Sequence, residues 1–483
     1  MSWISLEPGL QQSRGGALAS PVATSLPTVS AAPTAVWGTA KMIAAYAGAA
    51  GRTQRIADDV EADVAFGTKF ADVSGIGIGT HNWKTLYDQT GNGNHISQAT
   101  KANQPSASPL TVNRCPLVHF DSSPLAGLVK SAYMGCATGP VTEKSAFTMF
   151  LVLAPNQSFN DNYYVCQPDT ATTLSLFTQS TNVGIRGNNS SPFNSTRKMP
   201  RVQQQVLRWR GGPTGKQFGI NGSTQLLSTA PTAGTETGIA FGHHVSTASF
   251  DGEFDFIAAV VYNATLSDAD CLLVEAALYA QCGVQTVANN LIIFDGDSRT
   301  EGSGHTLNQT WVKRTMATIS KASHGIDMGV GGQTLQTMAG AVASRVAALY
   351  DGTYAKNIVV VGGAAVNDFT AGRTGAQAWA DLQTYVAGMN ANQQLIIGTC
   401  PFRSTESGTA RTDYNALLMA NYNRLQPGTA GLVTGPTNTV LVDVAASSVT
   451  QYPADYIDIV HNNDAGHQKW AALFRPAIEA LLV

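Results

Sequence analysis

The chain has 483 residues, too many for one ordinary hydrophobic core, so two domains are expected. Its net charge of −3 and pI near 6.3 give no electrostatic reason to expect nucleic-acid binding. Charged residues make up only 13% of the chain, and no apolar stretch is long enough to cross a bilayer. The composition therefore predicts globular domains with a neutral, hydrogen-bonding surface, no nucleic-acid partner and no membrane insertion.

The N-terminal segment, residues 1–35, is rich in Ser, Ala, Pro and Thr and has no hydrophobic periodicity. This composition predicts a flexible leader or linker. Its start, Met-Ser-Trp-Ile-Ser-Leu-Glu-Pro, lacks the basic flank and long apolar core of a secretory signal peptide. The compartment stays open, and a virion-associated or an extracellular location would fit.

The next part, residues 36–285, contains runs of β-forming residues separated by turns rich in Gly, Asn and Pro. Three such runs are residues 148–154, 205–210 and 254–262. Many short strands with polar turns predict an all-β sandwich domain, with a carbohydrate-binding or positioning role. A helix is predicted to begin after Ser267, whose hydroxyl is suited to cap it.

The six cysteines show none of the spacings typical of metal sites. Cys271 and Cys282 bracket a helical pattern that would hold them roughly 16 Å apart, too far for a disulfide. The sequence therefore predicts mostly free, buried thiols and implies no metal. The remaining cysteines are Cys115, Cys136, Cys166 and Cys400.

From about residue 290 the pattern changes to apolar strands that alternate with amphipathic helices. Strands are predicted over residues 291–294, 357–361, 394–398 and 440–444, and helices over 310–321, 334–349, 375–389, 409–425 and 465–481. This alternation predicts a parallel sheet covered by helices on both faces. Because ligands bind at the carboxyl ends of strands in such sheets, the α/β domain of residues 290–483 should carry its site there.

Two short segments of this domain carry the residue types of a nucleophilic site. The apolar run beginning at Leu291 breaks into a Gly-Asp-Ser turn, which places Ser298 at the end of the first predicted strand. Asp458 and His461 lie three positions apart in one loop before the last predicted helix. In a Ser–His–Asp relay the imidazole takes the hydroxyl proton, and the carboxylate orients the imidazole. We predict Ser298, His461 and Asp458 as the catalytic residues.

These segments belong to four ordered blocks that resemble those of the SGNH/GDSL hydrolase family. The blocks are residues 296–302 (Gly-Asp-Ser-Arg-Thr-Glu-Gly), residues 329–334 (Gly-Val-Gly-Gly-Gln-Thr), the Asn367-Asp368 pair, and Asp458 with His461. The resemblance spans nearly all of residues 290–483. It implies an α/β/α sandwich of the SGNH, flavodoxin-like type and an esterase activity.

The resemblance also implies an oxyanion hole, which receives the charge that develops on the carbonyl oxygen. The donors would be the backbone N–H groups of Ser298 and Gly332 and the amide of Asn367, with Gly331 as an alternative to Gly332. Losing one such donor typically costs about 2.7–4 kcal/mol of transition-state stabilisation. The third block departs from the family pattern, because Ala365 stands where glycine is expected.

Other side chains in and near the blocks are predicted to be structural. Asp297 and Asp368 should hydrogen-bond their own loops, as turn carboxylates do. His467 is expected to cap or pack. Cys400 could line the site, but a buried thiol is the favoured interpretation.

A second resemblance covers roughly the first half of the chain. Residues 87–95, Tyr-Asp-Gln-Thr-Gly-Asn-Gly-Asn-His, are similar to a segment of the concanavalin-like sandwich module of arabinofuranosidase B-like proteins. This module occurs in glycan-active proteins and phage tail proteins. Either the segment is a tight turn that organises the sandwich, or Trp83, Tyr87 and His95 contact a sugar, since aromatic faces stack on sugar rings.

The function predicted from these features is that of a serine esterase acting on an acylated polysaccharide or a small ester, most simply by removing O-acetyl groups. The relay is complete in side chains, so no cofactor is implied. A lipase or thioesterase would use the same residues on longer acyl groups. Two further alternatives are a non-enzymatic glycan- or receptor-binding protein of phage-tail type and a glycosidase site in the first domain.

Overall fold

In a computed structural model of the protein, the described residues run from 25 to 483, with gaps. The gaps are residues 77–79, 113–114, 121–123, 126–127, 130–131, 137–145, 156–162, 168–173, 180–181, 188–192, 199–203, 213–214, 222, 229–238, 243–253, 285–287, 303–309, 402–407, 423–438 and 447–451. Within the described part, every helix is too short or too polar to span a bilayer.

The N-terminal domain is built from short strands, as its sequence predicts. They are β1 (Ala35–Gly38), β2 (Gly51–Arg55), β3 (Glu61–Val64), β4 (His81–Leu86), β5 (Ile96–Ser97), β6 (Ser106–Val112), β7 (Cys115–Phe120), β8 (Pro124–Leu125), β9 (Leu128–Val129), β10 (Met134–Cys136), β11 (Phe147–Pro155), β12 (Tyr163–Gln167), β13 (Leu174–Gln179), β14 (Asn182–Gly187), β15 (Phe193–Lys198), β16 (Gln205–Gly212), β17 (Gly215–Ile220), β18 (Ser223–Ser228), β19 (Ile239–Phe241) and β20 (Phe254–Tyr262). A single 3-10 turn, Lys101–Asn103, precedes β6.

The described strand pairs of this domain are antiparallel, which confirms the predicted all-β architecture. The long strand β20 pairs with β1, β7 and β11, and β11 continues through β16 and β17 to β18. All nine residues of β20 are buried, because both faces of this sheet are covered. Trp37, Phe256 and Trp209 belong to the core on one face.

Helix α1 (Asp268–Cys282) covers the other face of that sheet. The Ser267 side chain accepts a hydrogen bond from the backbone N–H of Asp270 at 3.1 Å, which confirms the predicted N-cap. Cys271 and Leu278 pack into the apolar layer that α1 shares with the sheet. Cys136, Cys271, Cys282 and Cys400 are buried thiols outside any disulfide, as predicted, whereas the side chains of Cys115 and Cys166 lie outside the described part.

The segment predicted as a flexible leader is packed against the domain over its last third. Leu26, Val29 and Ala31 contact the apolar layer beneath α1, and the backbone N–H of Leu26 donates to Met42. Ser30 hydrogen-bonds Asp270 at 2.6 Å. Sequence composition missed these contacts because they depend on the tertiary fold. Residues 1–24 lie outside the described part.

The C-terminal domain alternates strands with helices. Its elements are β21 (Asn290–Asp295), α2 (Ser298–Glu301), α3 (Trp311–Thr318), β22 (Ser323–Asp327), α4 (Leu335–Arg345), a 3-10 turn (Ala347–Leu349), β23 (Lys356–Val361), α5 (Val366–Thr370), α6 (Gly375–Gly388), β24 (Gln393–Gly398), α7 (Ala410–Asn421), β25 (Thr439–Val442) and α8 (Asp464–Glu479).

Five strands form a parallel sheet in the order β22-β21-β23-β24-β25. One face packs against α4, α6 and α7, and the other against α3 and α8. This arrangement confirms the predicted α/β fold with helices on both faces. Strand β22 was not predicted, because its sequence Ser-His-Gly-Ile-Asp lacks an apolar run and it lies at the sheet edge.

A buried ion pair joins the two domains. Lys313 Nζ on α3 lies 2.7 Å from Asp255 Oδ2 on β20, and His119 Nδ1 lies 3.0 Å from Asp255 Oδ1. All three residues are buried. Burial alone would raise the pKa of the Asp255 carboxyl, but Lys313 and His119 outweigh it and hold that pKa well below its usual range.

Candidate active site

The nucleophile turn follows directly from the end of β21. Gly296 has a φ of 155°, and a Cβ there would lie 2.3 Å from Thr300 Oγ1, so the tight turn requires glycine. Asp297 then caps α2, accepting a hydrogen bond from the backbone N–H of Arg299 at 3.0 Å. Ser298 is consequently the first residue of a helix at the carboxyl end of a buried strand, where the sequence places it.

The three predicted catalytic side chains lie within hydrogen-bonding reach of one another. Ser298 Oγ is 2.9 Å from His461 Nε2, and His461 Nδ1 is 2.7 Å from Asp458 Oδ2. With the Nδ1 proton on the carboxylate side, Nε2 is left to accept the serine proton. The arrangement can therefore generate a nucleophilic hydroxyl.

The loop that carries Asp458 is ordered by its own carboxylate. Asp458 Oδ1 accepts the backbone N–H groups of Val460 and His461, each at 2.7 Å, and the N–H of Ile457 donates to the His461 carbonyl at 2.9 Å. Burial would raise the pKa of Asp458, but the hydrogen bonds from His461 and Val460 lower it overall. The carboxylate is therefore ionised at neutral pH, as the relay requires.

Two buried residues outside the predicted catalytic set connect segments around the site: Arg299 binds the loop that carries His461, and His467 binds the start of α3. Arg299, which is fully buried, donates from Nε to the Val460 carbonyl at 2.9 Å and so ties the loop to α2. His467 is also buried, and its Nδ1 accepts the backbone N–H of Trp311 at 3.2 Å at the start of α3. His467 thus caps, as predicted, whereas nothing in the sequence assigned Arg299 a partner.

The predicted oxyanion residues are brought together in a second turn. Gly332 is exposed with a φ of 71°, and the Asn367 amide donates to the carbonyl of the next residue, Gln333, at 3.0 Å. Gly329 contacts α2 so closely that a Cβ there would lie 2.2 Å from the backbone nitrogen of Glu301. The turn that contains Gly332 therefore packs on the helix that starts with Ser298 and is bonded to Asn367, and the role of both residues as donors stays a prediction.

In the third block, Ala365 occupies the position at which the family pattern has glycine, and it adopts a backbone conformation typical of glycine. Ala365 has a φ of 91° and precedes α5, so an alanine adopts the left-handed conformation for which glycine is suited. Asn367 therefore lies within α5, two residues after a residue in the left-handed conformation.

The other acidic residues of the blocks have structural partners, in line with their predicted roles. Asp368 Oδ2 accepts the backbone N–H of Leu335 at 2.7 Å, and Arg373 Nε lies 3.3 Å from Asp368 Oδ1. Burial raises the pKa of both Asp297 and Asp368. Cys400 is fully buried, in line with a structural thiol.

The three residues predicted to contact a sugar in the first domain differ in their exposure. Trp83 is fully buried in the domain core, so its ring has no exposed face and a stacking role for it is wrong. Tyr87 is half-buried and donates to Asp63 at 2.9 Å, and exposed His95 packs edge-on against the Tyr87 ring. These two stay open as a predicted sugar contact.

The same Asn/Gly-rich segment clearly organises the fold. Both Asp88 oxygens accept hydrogen bonds, among them the backbone N–H groups of Val36 and Asn94. The Gln89 side chain accepts from the backbone N–H of Met42 and donates to the carbonyl of Ala40. The segment fastens residues 34–43 to the domain, which supports the turn interpretation.

Among the described residues, no group of three or more His, Cys, Asp or Glu side chains is arranged to hold a metal ion.

Residues 294–469 match the model of the GDSL-like Lipase/Acylhydrolase family. The match confirms the resemblance predicted for the C-terminal domain and supports ester hydrolysis as the chemistry of that domain. No curated protein sequence matches the chain.

Several solved structures are similar to parts of the chain. A GH54 α-L-arabinofuranosidase is 19% identical at a TM-score of 0.43, over 54% of this chain and 65% of its own. A lipolytic G-D-S-L family member from Veillonella parvula DSM 2008 is 22% identical at a TM-score of 0.31, over 39% of this chain and 97% of its own. Axe2, an acetylxylan esterase from Geobacillus stearothermophilus, is 19% identical at a TM-score of 0.31, over 40% and 96%. The chain spans less than two thirds of the arabinofuranosidase's length.

Proposed function

We propose that the protein is a serine esterase that removes O-acetyl groups from a polysaccharide through an acyl-enzyme on Ser298. The observation that carries the proposal is the continuous hydrogen-bonded line from Ser298 through His461 to Asp458. A His–Asp pair alone can be purely structural. Here Ser298, at a strand-to-helix turn, adds the nucleophile to the base and the carboxylate that acyl transfer needs.

The reaction runs in two halves. Ser298 Oγ attacks the acetyl carbon while His461 takes its proton, and the tetrahedral oxyanion is received by the Ser298 and Gly332 N–H groups and the Asn367 amide. His461 then protonates the departing sugar oxygen. Water, deprotonated by His461, attacks the acetyl-enzyme and releases acetate, and Asp458 stabilises the imidazolium in both halves.

The turn that carries the predicted oxyanion donor Gly332 packs closely against the helix that starts with Ser298. A Cβ on Gly331 would lie 2.9 Å from Glu301 Oε2, and Gly329 touches the backbone of the same helix. The low charge content of the chain, 13%, suits a neutral polyhydroxylated partner.

The test is release of acetate from a panel of acetylated polysaccharides by wild type and Ser298→Ala. Loss of the nucleophile should lower kcat by about 10⁴–10⁶-fold. Ser344→Ala, an exposed serine on α4, is the matched control and should leave the rate unchanged.

The same panel separates the alternatives. Highest activity on p-nitrophenyl esters longer than butyryl would replace the deacetylase by a lipase or thioesterase. Equal glycan binding by wild type and Ser298→Ala, without acetate from either, would favour a binding protein of phage-tail type. Sugar release that survives Ser298→Ala would point to a glycosidase site in the first domain.

A further inference from the structure

A pocket of about 500 Å³ opens at the same edge of the parallel sheet as the candidate active site. It lies between α5, the N-terminal ends of α6 and α7, and Pro401, which follows β24. Val366 and Phe369 line it from α5, and they flank Asn367, the predicted oxyanion donor, in the chain. Its volume falls within the range of about 300–1,000 Å³ found for small-molecule sites.

The described part of this pocket's wall carries many hydrogen-bonding side chains. Its hydrogen-bonding side chains are Thr370, Arg373, Thr374, Thr409, Arg411 and Asp413. Among the described residues of the lining, apolar side chains contribute only a part, and Phe369 supplies an aromatic ring. A burial site for a fatty acyl chain would be predominantly apolar, whereas hydroxyls, guanidinium groups and one aromatic face suit a sugar ring.

One of the two arginines is held in place before any ligand arrives. Arg373 Nε lies 3.3 Å from Asp368 Oδ1, and its Nη2 is paired with Asp381 at the far side. Asp368 also holds the backbone N–H of Leu335 at the start of α4, just after the Gly332 turn. The same buried carboxylate therefore links the pocket wall to the oxyanion turn. A preorganised guanidinium loses less entropy when it binds a ligand.

We propose that this pocket is the subsite for the sugar ring that carries, or adjoins, the acetyl ester. The inference rests on the proposed esterase function and adds the location of the glycan to it. With the sugar between α5 and α7, its ester is presented towards Asn367 and Ser298, and the leaving alcohol stays in the pocket. Arg411 and Arg373 donate to ring and hydroxyl oxygens, and Phe369 packs against the apolar face of the ring.

The experiment fills the pocket without touching the triad. Ala410, half-buried at the start of α7, lines the pocket, and Ala410→Phe places an aromatic ring inside it. Ala420→Phe, on the exposed end of the same helix, is the matched control. The substrates are p-nitrophenyl acetate, p-nitrophenyl octanoate and acetylated oligosaccharides of xylose, mannose and galacturonic acid.

Ala410→Phe should lower kcat/KM for the acetylated oligosaccharides by about tenfold or more and leave p-nitrophenyl acetate hydrolysis unchanged. Arg411→Ala should raise KM for the same oligosaccharides by about tenfold, because a charge-assisted hydrogen bond is lost. Equal losses on both kinds of substrate, or no loss on either, would overturn the subsite. A selective loss of octanoate hydrolysis would assign the pocket to the acyl chain and overturn it as well.

A binding measurement keeps this inference separate from the esterase proposal. Titration calorimetry of Ser298→Ala with each acetylated oligosaccharide should show binding that Ser298→Ala/Ala410→Phe has lost. If wild type releases no acetate but this difference in binding is found, the esterase proposal fails and the sugar subsite stands. If wild type is active and both variants bind equally, the subsite fails and the esterase stands.

Discussion

In the loop that carries Asp458 and His461, one substitution should change the position of the imidazole proton while the loop keeps its fold. In Asp458→Asn, the retained Oδ1 still accepts the backbone N–H groups of Val460 and His461. The new NH₂ group cannot accept a hydrogen bond from His461 Nδ1–H, so the imidazole is no longer held in the tautomer whose Nε2 accepts the Ser298 proton. We expect kcat on p-nitrophenyl acetate to fall by about 10⁴-fold with thermal stability nearly unchanged.

The control for this prediction is Asp464→Asn, a carboxylate in the first turn of the neighbouring helix α8. It should retain wild-type kcat. A kcat for Asp458→Asn close to that of wild type would mean that the carboxylate does not orient the imidazole, whatever the distance between the two groups.

The proximity of Ser298, His461 and Asp458 could be predicted from sequence, because each residue lies in a short block whose local pattern places it. Ser298 follows an apolar run, and Asp458 and His461 share one loop, so only the meeting of two segments had to be inferred. Arg299 and Trp83 could not be assigned in this way. The bond from Arg299 to Val460 spans 161 residues, and the burial of Trp83 depends on the packing of several strands.

At the scale of elements, the entry into α5 predicts a stabilising substitution. The left-handed conformation of Ala365 costs a non-glycine residue roughly 1–2 kcal/mol of folded-state stability. Glycine would remove this cost, but its greater conformational freedom in the unfolded state would offset about 0.4–1 kcal/mol of the gain. Ala365→Gly should therefore raise the free energy of unfolding by about 1 kcal/mol, or Tm by about 2–4 °C. Differential scanning calorimetry of the full chain would measure the shift.

Ala364→Gly is the matched control, because its alanine is equally buried and lies outside the left-handed region. It should destabilise the protein, since glycine gains only unfolded-state freedom there. A lower Tm for Ala365→Gly would show that the Ala365 methyl group contributes more packing than its backbone conformation costs.

Strands and helices were predicted correctly where a single hydrophobic pattern extended over most of the element. The apolar runs at residues 291–294 and 357–361 became β21 and β23, each extended by one or two residues. Helices α2 and α5 were missed because four or five residues are too few to show a helical period, and both form around site residues. The edge strand β22 forms because it pairs with β21, and this pairing cannot be predicted from the local sequence of β22.

At the scale of the whole molecule, the two domains are joined by charges that sequence periodicity cannot connect. Asp255 lies in an otherwise apolar strand, and Lys313 lies on the buried side of α3, so each would be costly inside the protein alone. Helix α3 also contacts the core beneath the candidate site, because Trp311 packs against Phe294 and Phe474. The α/β domain is thus anchored to the β-domain through a helix that packs beneath the candidate site.

This anchor predicts a specific dependence of stability on pH. The folded pKa of Asp255 is depressed, so its ionised form contributes stability above the unfolded pKa of about 3.9, and that contribution is lost as the pH falls through the folded value. Lys313→Met removes a charge that offsets burial, which should lower the free energy of unfolding at pH 7 by about 3–5 kcal/mol. Because the folded pKa then rises, the acid-side loss of stability attributable to Asp255 should shrink or reverse.

Urea unfolding of the full chain between pH 2 and 7 would measure both effects, with Lys84→Met as the control. Lys84 pairs with Glu61 on the surface, and such pairs contribute about 0–1 kcal/mol, so its pH profile should follow that of wild type. If Lys313→Met instead reproduces the wild-type profile and stability, the buried pair does not hold the two domains together. In that case the apolar contacts around α3 and β20 must account for the association of the two domains, because removal of the Lys313 charge would have left that association unchanged.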